Sequence, residues 1–310
     1  MGIEEIRKIL VVGSGAMGSQ IAMVCALAGY EVALQDISQE SLQKAEESLK
    51  GHMRRRVDKG RLTQAQVEEA FARLTFSENL EQAARDADFV IEAIIEKLEV
   101  KRQLFAELDR LTPAHAILAT NSSTIVSSKV ADATKRPEKV CNMHFFNPAL
   151  VMELVEVVRN PHTSQETVDI TVELTRKIGK IPIVLHKEIS GFVANRILGA
   201  MMDEAVSLYE QGIASFEDID LACLKALNHP IGPFALMDLT GIDVNYYVRM
   251  QRMEETGDPQ AGPKKSVIEK FKKGEWGRKT GKGWYDYTEQ AKSTSRSEAT
   301  EAPDRTKGDR

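Results

Sequence analysis

Short apolar runs alternate with longer helical stretches through the first 185 residues of the chain. Lys8–Val12, Glu31–Asp36 and Asp88–Ala93 are rich in apolar and β-branched residues, which predicts buried strands. Between the first two runs, Ala16–Ala28 has the pattern of a helix and ends at Gly29. A strand, a helix and a second strand joined by short connections predict a parallel βαβ unit.

The same alternation continues along the chain and predicts the remaining elements of one α/β domain. Ser38 predicts the N-cap of a long polar helix that reaches about Lys59, and Thr63 predicts the start of another helix. Repeated strands separated by helices predict a Rossmann-type, mostly parallel sheet. The further predicted helices are Leu98–Leu111 and Ser164–Ile178, and the further predicted strands are Ala116–Ala119, Lys139–Phe145, Val151–Val158 and Ile181–Leu185.

The pattern changes after His186, where strand-like runs stop and the spacing becomes helical, beginning with a helix over Phe192–Gln211. We therefore predict a Rossmann-type α/β domain over residues 1–186 and an all-helical domain over residues 187–287. Residues 288–310 contain no large apolar side chain, which predicts a disordered tail.

Composition narrows the class of protein. A content of 42% hydrophobic and 28% charged residues is ordinary for a globular protein and excludes a collagen or a coiled-coil rod. The net charge of −5 argues against a nucleic-acid partner. The chain has no apolar run of about 18 residues and an acidic N-terminus, so we expect neither a membrane span nor a secretory signal. Three scattered cysteines outside any metal-binding pattern predict no metal and a cytoplasmic location.

A glycine-rich motif follows the first predicted strand and opens the first predicted helix. In a G-x-G-x-x-G motif, the first glycine permits a tight turn, the second allows a pyrophosphate to approach, and the third packs the helix close to the strand. The helix N-terminus then binds the phosphate charge. Here the motif consists of Gly13, Ser14, Gly15, Ala16, Met17 and Gly18.

Asp36, 18 residues after Gly18, ends the second predicted strand. A carboxylate at this position accepts hydrogen bonds from ribose hydroxyls and repels a 2′-phosphate, which favours NAD over NADP. The motif by itself also fits FAD, but a chain of this length with one nucleotide motif favours NAD.

His144 is the strongest of six histidines as a candidate general base, because it lies at the end of a predicted strand, where α/β sheets bind ligands. The next strand carries Glu153 and Glu156, whose spacing directs their side chains to opposite faces. Glu156 shares a face with Leu154 and is expected to point inward, where a buried carboxylate needs a partner such as His144. Glu153 is expected to face solvent or an interdomain cleft.

The sequence resembles the L-3-hydroxyacyl-CoA dehydrogenase family, and within it the short single-function 3-hydroxybutyryl-CoA dehydrogenases, over about residues 5–287. Several motifs in order carry the resemblance. They are the glycine loop, Glu92–Glu96, Asn121–Ser123, His144–Pro148, Leu154–Val157, Gly191–Arg196, Pro230–Phe234 and Arg278–Gly283.

The resemblance implies an NAD-dependent enzyme of fatty acid metabolism that oxidises a (3S)-3-hydroxyacyl-CoA, and it implies roles for particular residues. His144 would be the general base, Glu156 its partner, and Ser123 and Asn195 would contact the substrate oxygen. The implied cofactor contacts, besides the glycine loop and Asp36, are Glu96, Lys101, Ser123, Asn147 and Lys279; Lys59, next to Arg54–Arg56, is implied for coenzyme A.

Three positions depart from the family pattern, which usually has Pro at Leu150, Lys at Glu153 and Pro at Ser190. They leave the catalytic positions intact but put the substrate in question. Oxidation of a sugar acid such as L-gulonate therefore remains an alternative, as does a non-catalytic NAD-binding structural protein. The predicted helical domain has long apolar faces, which predict a symmetric homodimer; they include Ile197, Leu198, Met201, Met202, Ala205 and Leu208.

Overall fold

The computed structural model describes residues 2–288, so the predicted disordered tail lies outside the described residues except for Thr288. The chain divides into two compact units, with the break between Val193 and Ala194. This break falls a few residues after the boundary expected from the sequence near residue 187. Each unit is described by itself below.

The first unit contains an eight-stranded sheet with the strand order β3-β2-β1-β4-β5-β6-β7-β8. Neighbouring strands are parallel except for β6 and β7, which are antiparallel. The predicted Rossmann-type, mostly parallel sheet is therefore confirmed. The strands are β1 (Lys8–Val12), β2 (Glu31–Gln35), β3 (Leu74–Ser77), β4 (Phe89–Glu92), β5 (Ile117–Thr120), β6 (Val140–Phe145), β7 (Leu154–Arg159) and β8 (Ile181–Leu185).

Seven α-helices accompany this sheet within the first unit, and several begin at residues whose side chains cap them. Ser38, Thr63 and Ser164 each accept a hydrogen bond from the backbone N–H three residues later, as the sequence predicted for the first two. The helices are α1 (Ala16–Leu27), α2 (Gln39–Asp58), α3 (Gln64–Ala72), α4 (Leu80–Ala84), α5 (Leu98–Leu111), α6 (Ser128–Ala131) and α7 (Gln165–Lys177).

Helices cover both faces of the sheet, which explains why its strands β4, β5 and β6 are buried at every position. Successive residues of a strand point to opposite faces. Ile9 and Val11 of β1 accordingly pack in one hydrophobic cluster with α1, whereas Leu10 and Val12 pack in another with α5. A parallel sheet buried on both faces places its functional side chains at the carboxyl ends of its strands.

Two strands of this unit differ most from the sequence expectations, and the short helices α4 and α6 were also not predicted. The edge strand β3 was not predicted, because four residues with half-exposed polar positions give only a weak pattern. Strand β7 begins at Leu154 instead of Val151. The N–H groups of Val151 and Met152 both donate to the carbonyl of Pro148. These hydrogen bonds hold the residues before Leu154 in a turn, so the strand begins later than predicted.

The second unit is all-helical over its described residues, as the sequence predicted. Its first helix starts at Ala194 and not at Phe192, since Phe192 has a φ of 48° and its side chain is buried in the first unit. An aromatic core includes Phe234 and Trp284, whose ring centroids lie 4.5 Å apart. The helices are α8 (Ala194–Glu210), α9 (Phe216–Lys225), α10 (Pro233–Thr240), α11 (Ile242–Thr256) and α12 (Lys265–Lys272).

Within residues 2–288, the helices are too short or too polar to cross a lipid bilayer. The same residues contain no group of three histidine, cysteine or acidic side chains arranged to hold a metal ion.

Candidate active site

The glycine loop connects the end of β1 to the start of α1 and has the shape of a phosphate cradle. Gly13 has a φ of 100°, and a Cβ atom there would lie 2.6 Å from the carbonyl oxygen of Ala93. A Cβ atom on Gly18 would lie 1.8 Å from the carbonyl oxygen of Gly13, so only glycine allows α1 to approach. By contrast, the Cβ position of Gly15 is open, which leaves room for a pyrophosphate beside the N-terminus of α1 at Ala16.

The carboxylate of Asp36 follows β2 and is fixed beside this loop. Its Oδ2 atom accepts hydrogen bonds from the backbone N–H (2.8 Å) and the hydroxyl (2.9 Å) of Ser14, and Oδ1 accepts from the N–H of Ser38 (3.1 Å). Asp36 is half-buried, so part of the carboxylate stays open to a ligand. An anionic acceptor next to an open glycine turn fits the adenosine ribose and pyrophosphate of NAD.

Replacement of Asp36 with Ser is expected to raise the dissociation constant for NADH by about tenfold or more, because hydrogen bonds to a charged group are worth about 1.5–3 kcal/mol. Binding of NADPH is expected to stay the same or to strengthen, since the repulsion of the 2′-phosphate is gone. Fluorescence titration with both nucleotides measures this. The exposed Asp58 at the end of α2 provides the control D58S. An equal loss of affinity for both nucleotides would argue against ribose recognition by Asp36.

His144 and Glu156 are brought together by the antiparallel pairing of β6 and β7. The two residues are directly opposite each other in the register, so their side chains lie on the same face of the sheet. Nδ1 of His144 lies 2.7 Å from Oε2 of Glu156, and the side chains are 3% and 0% exposed. Glu156 therefore points inward, as the strand period predicted, and the register of the two strands brings it to His144. Glu153 is exposed.

Ser123 lies on the other side of the imidazole ring. Its Oγ atom is 3.0 Å from Nε2 of His144. A carboxylate is only an acceptor, so beside an ionised Glu156 the Nδ1 atom of a neutral His144 would carry the proton and leave Nε2 with a lone pair. This tautomer allows Nε2 to accept a proton from a hydroxyl group held beside Ser123.

Aromatic rings surround the histidine and limit the access of water. The ring centroids of Phe146 and Phe192 lie 4.6 Å and 5.2 Å from that of His144. The backbone N–H of Val193 donates to Oε1 of Glu156 (3.0 Å). The segment before α8 thus supports the carboxylate, and the low polarity around the ring strengthens the interaction of His144 with Glu156.

Lys101, which the resemblance implies as a cofactor contact, is buried beside two carboxylates. The Lys101 side chain is 1% exposed, and its Nζ atom lies 2.5 Å from Oε1 of the buried Glu92 and 3.3 Å from Oε2 of Glu96. Glu96 is more accessible, with 38% of its side chain exposed. Burial raises the pKa of Glu96, but Lys101 and the hydroxyls of Ser122 and Thr124 outweigh it and hold that pKa below its usual value. Lys101 is therefore placed to support Glu96.

The other predicted site residues are spread over both units. Asn147 follows β6 and is exposed, and Lys59 is exposed immediately after α2. In the second unit, Asn195 is exposed in the first turn of α8, and Nζ of Lys279 lies 2.6 Å from the carboxylate of Asp243. The roles implied for these four residues remain predictions.

The sequence analysis gave no role to two asparagines that organise this site. Oδ1 of Asn121 accepts a hydrogen bond from the backbone N–H of Phe145 (2.9 Å), and Asn142 is fully buried within β6. A polar residue in the middle of the apolar strand Val140–Phe145 is the signal that would have identified Asn142, because a buried amide requires partners.

The fold, the glycine loop and the histidine–carboxylate pair are those of an NAD-dependent dehydrogenase. The family model "3-hydroxyacyl-CoA dehydrogenase, NAD binding domain" matches residues 8–189, and the model "3-hydroxyacyl-CoA dehydrogenase, C-terminal domain" matches residues 191–287. The chain therefore belongs to the 3-hydroxyacyl-CoA dehydrogenase family. These matches confirm the resemblance noted in the sequence and confirm NAD as the cofactor.

Individual relatives agree with this assignment. The chain is 39% identical over 280 residues to the 3-hydroxybutyryl-CoA dehydrogenase of Clostridioides difficile, covering 90% of this chain and 99% of that protein. It is 35% identical over 288 residues to the human mitochondrial hydroxyacyl-coenzyme A dehydrogenase, covering 91% of each. The crystal structure of a (S)-3-hydroxybutyryl-CoA dehydrogenase from Ralstonia eutropha aligns with a TM-score of 0.85 at 38% identity, over 91% of this chain and 99% of that one.

Proposed function

We propose that this chain oxidises a short-chain (3S)-3-hydroxyacyl-CoA, such as 3-hydroxybutyryl-CoA, to the 3-oxoacyl-CoA and catalyses the reverse reduction. The observation that supports this proposal most strongly is that His144 is fixed between Glu156 and Ser123. These residues lie in the same unit as a glycine loop suited to NAD. The names of the relatives support the substrate class. The reaction places the enzyme in fatty acid metabolism.

His144 acts as the general base in the oxidation. Its Nε2 atom takes the proton of the 3-hydroxyl group while Ser123 holds the same oxygen, and the Nδ1–H group donates to Glu156. The carboxylate of Glu156 stabilises the imidazolium cation that forms. NAD⁺ bound at the glycine loop supplies the acceptor for the hydride that leaves C3. In the reverse direction, the imidazolium returns its proton to the oxygen of the 3-oxo group.

The remaining predicted residues bind and orient the two reactants. We assign Asn195 to the substrate oxygen together with Ser123, and Lys59 to the phosphates of coenzyme A. Arg56 is less available for those phosphates, because its guanidinium donates to the carbonyl of Leu150. Asn147, Glu96 and Lys279 are assigned to the cofactor, and Lys101 acts through its ion pair with Glu96. Residues 1–186 form the NAD-binding domain in this proposal, and residues 187–287 bind substrate.

The direct test is the consumption of NADH with acetoacetyl-CoA as substrate. We expect rapid turnover with NADH and much slower turnover with NADPH. Oxidation of L-gulonate is measured in parallel, because Leu150 and Glu153 depart from the family pattern. Turnover of L-gulonate without turnover of acetoacetyl-CoA would retain the His144–Glu156 chemistry and reassign the substrate to a sugar acid. No turnover of either substrate, with NADH still bound, would favour a non-catalytic NAD-binding protein.

We also propose a homodimer formed through the helical unit, in the cytoplasm. Much of the apolar face predicted for dimerisation packs within the unit itself, since Met202 and Ala205 are buried there. Ile197 of that face stays exposed, as do further apolar side chains of the same unit, and these support the proposal: Ile197 (66%), Leu239, Val244, Tyr247 and Val248. The three cysteines are buried free thiols, which is consistent with a reducing compartment.

Light scattering coupled to size-exclusion chromatography is expected to give a particle of twice the 34.5 kDa chain mass at micromolar concentration. Replacement of the exposed Ile197 and Val248 with Asp is expected to shift the particle to the chain mass, because charged groups at a dimer interface lose their hydration. The corresponding change at the exposed Val100 of α5, Val100→Asp, serves as a control in the other unit. A wild-type particle of the chain mass would contradict the dimer.

A further inference from the structure

The distance between Ser123 and His144 depends on a segment that we name the serine loop, residues 122–127. This loop follows β5, whereas His144 lies on the neighbouring strand β6. The 3.0 Å separation of Ser123 Oγ and His144 Nε2 therefore requires the loop to be fixed against β6. Backbone pairing between the two strands ends at Thr120 and Asn142, before the loop begins, so side chains must hold the loop beyond that point.

Asn142 makes that connection with all of its hydrogen-bonding groups. Its Oδ1 atom accepts from the backbone N–H of Ser127 (2.8 Å), and its Nδ2 group donates to the carbonyls of Ser122 (3.3 Å) and Ile125 (3.2 Å). The Asn142 side chain thus forms hydrogen bonds with both ends of the serine loop, and Ser123 lies between the bonded residues. Asn142 is 0% exposed, so these hydrogen bonds do not compete with bulk water.

Asn142 lies two residues before His144 on strand β6. Residues two apart on a strand point to the same face, so Asn142 and His144 share one face of β6. The same rigid strand therefore carries the base and the residue that holds the serine loop. Hydrogen bonds to Glu96 hold the loop independently, through the hydroxyls of Ser122 and Thr124.

We propose that Asn142 is a positioning residue for the dehydrogenase reaction, setting the place of the Ser123 hydroxyl relative to Nε2 of His144. The inference rests on the role of Ser123 in the proposed function. Asn142 itself touches neither reactant: it acts through the backbone of the serine loop. Without it, two carbonyls and one N–H group of the loop lose their partners, and Ser123 is no longer held at 3.0 Å from the base.

A double-mutant cycle between Asn142 and Ser123 tests the proposal with acetoacetyl-CoA and NADH. Asn142→Ala is expected to lower kcat by about tenfold to a hundredfold, because small displacements of a reacting group have effects of this size. The KM for NADH is expected to change less than about twofold, since the glycine loop is untouched. In the Ser123→Ala background, adding Asn142→Ala is expected to lower kcat by less than about twofold further.

Asn160 provides a matched control, because it is a buried asparagine whose side chain hydrogen-bonds to the loop at Ser127 and not at Ser122 or Ile125. Its Nδ2 group donates to the Ser127 hydroxyl (3.2 Å) and to the carbonyl of Val140 (3.0 Å). Asn160→Ala is expected to lower the melting temperature while leaving kcat within about twofold. If Asn142→Ala does not fold, Asn142→Ser, which keeps a small polar group, is measured in the same cycle.

Three results would overturn the inference: an unchanged kcat for the Asn142 variant, an equal fall in both backgrounds, or full activity of S123A. The imidazole ¹⁵N resonance of His144 provides a readout that does not need turnover. Asn142→Ala is expected to move the Nε2 resonance toward its value in S123A, and an unmoved resonance would reject the proposal. Wild-type inactivity with acetoacetyl-CoA, accompanied by this shift, would count against the proposed function and not against the positioning role.

Discussion

Replacement of His144 with Gln is expected to lower kcat for the reduction of acetoacetyl-CoA by about 10²–10⁴-fold, the usual contribution of a general acid or base. The amide of Gln cannot gain and lose the proton that the reaction moves between Nε2 and the substrate oxygen. Glutamine still fills the space between Ser123 and Glu156 and forms hydrogen bonds there. Steady-state kinetics with saturating NADH measures the effect.

Binding of NADH provides the control for this variant, because the glycine loop and Asp36 do not contact His144 in the structure. The dissociation constant for NADH is expected to stay within about twofold, and the melting temperature close to that of the wild type. A variant with unchanged kcat would refute the assignment of His144 as the base. A variant that has lost NADH binding would show instead that the substitution disturbed the fold.

Replacement of Glu156 with Gln is expected to produce the second large effect, a fall in kcat of about 10²-fold. In the proposed mechanism, the buried carboxylate, 2.7 Å from Nδ1, fixes the proton on that atom and stabilises the imidazolium cation that forms. A neutral amide of the same size removes that stabilisation and also presents an N–H group, which can impose the wrong tautomer on His144. Activity is expected to fall in both directions, because both pass through the same cation.

Glu153 offers a matched control for this prediction. It lies three residues earlier and is exposed, so Glu153→Gln removes the same charge without touching His144. We expect kcat of E153Q within about twofold of the wild type, with any change confined to the KM for the acyl-CoA substrate. Equal effects of the two variants on kcat would indicate a general electrostatic influence and would remove Glu156 from its proposed role.

Local sequence patterns were sufficient for the elements that carry the cofactor site. The apolar run Lys8–Val12, the glycine spacing and the helix that follows are contiguous, and each depends on interactions within a few residues. Gly13 and Gly18 were predictable because only glycine tolerates the φ of 100° and the 1.8 Å approach found there. The strand period likewise predicted that Glu156 points inward, because alternation along a strand is a local property.

Long-range contacts at the site were beyond the reach of sequence patterns. The periodicity did not indicate that β6 and β7 are antiparallel, nor that their register sets His144 opposite Glu156. The periodicity also did not reveal that Lys101 is buried against Glu92, or that Asn142 forms hydrogen bonds with the serine loop.

The sequence by itself determined the class of fold, the cofactor loop and the residue that we propose as the base. Only the tertiary structure decided which side chains meet that base and what holds them there. The physical reason is that secondary structure follows from periodicity and propensity over a few residues. A hydrogen bond such as that between Ser123 and His144, by contrast, joins residues 21 positions apart and exists only once the order and register of the strands bring them to one edge of the sheet.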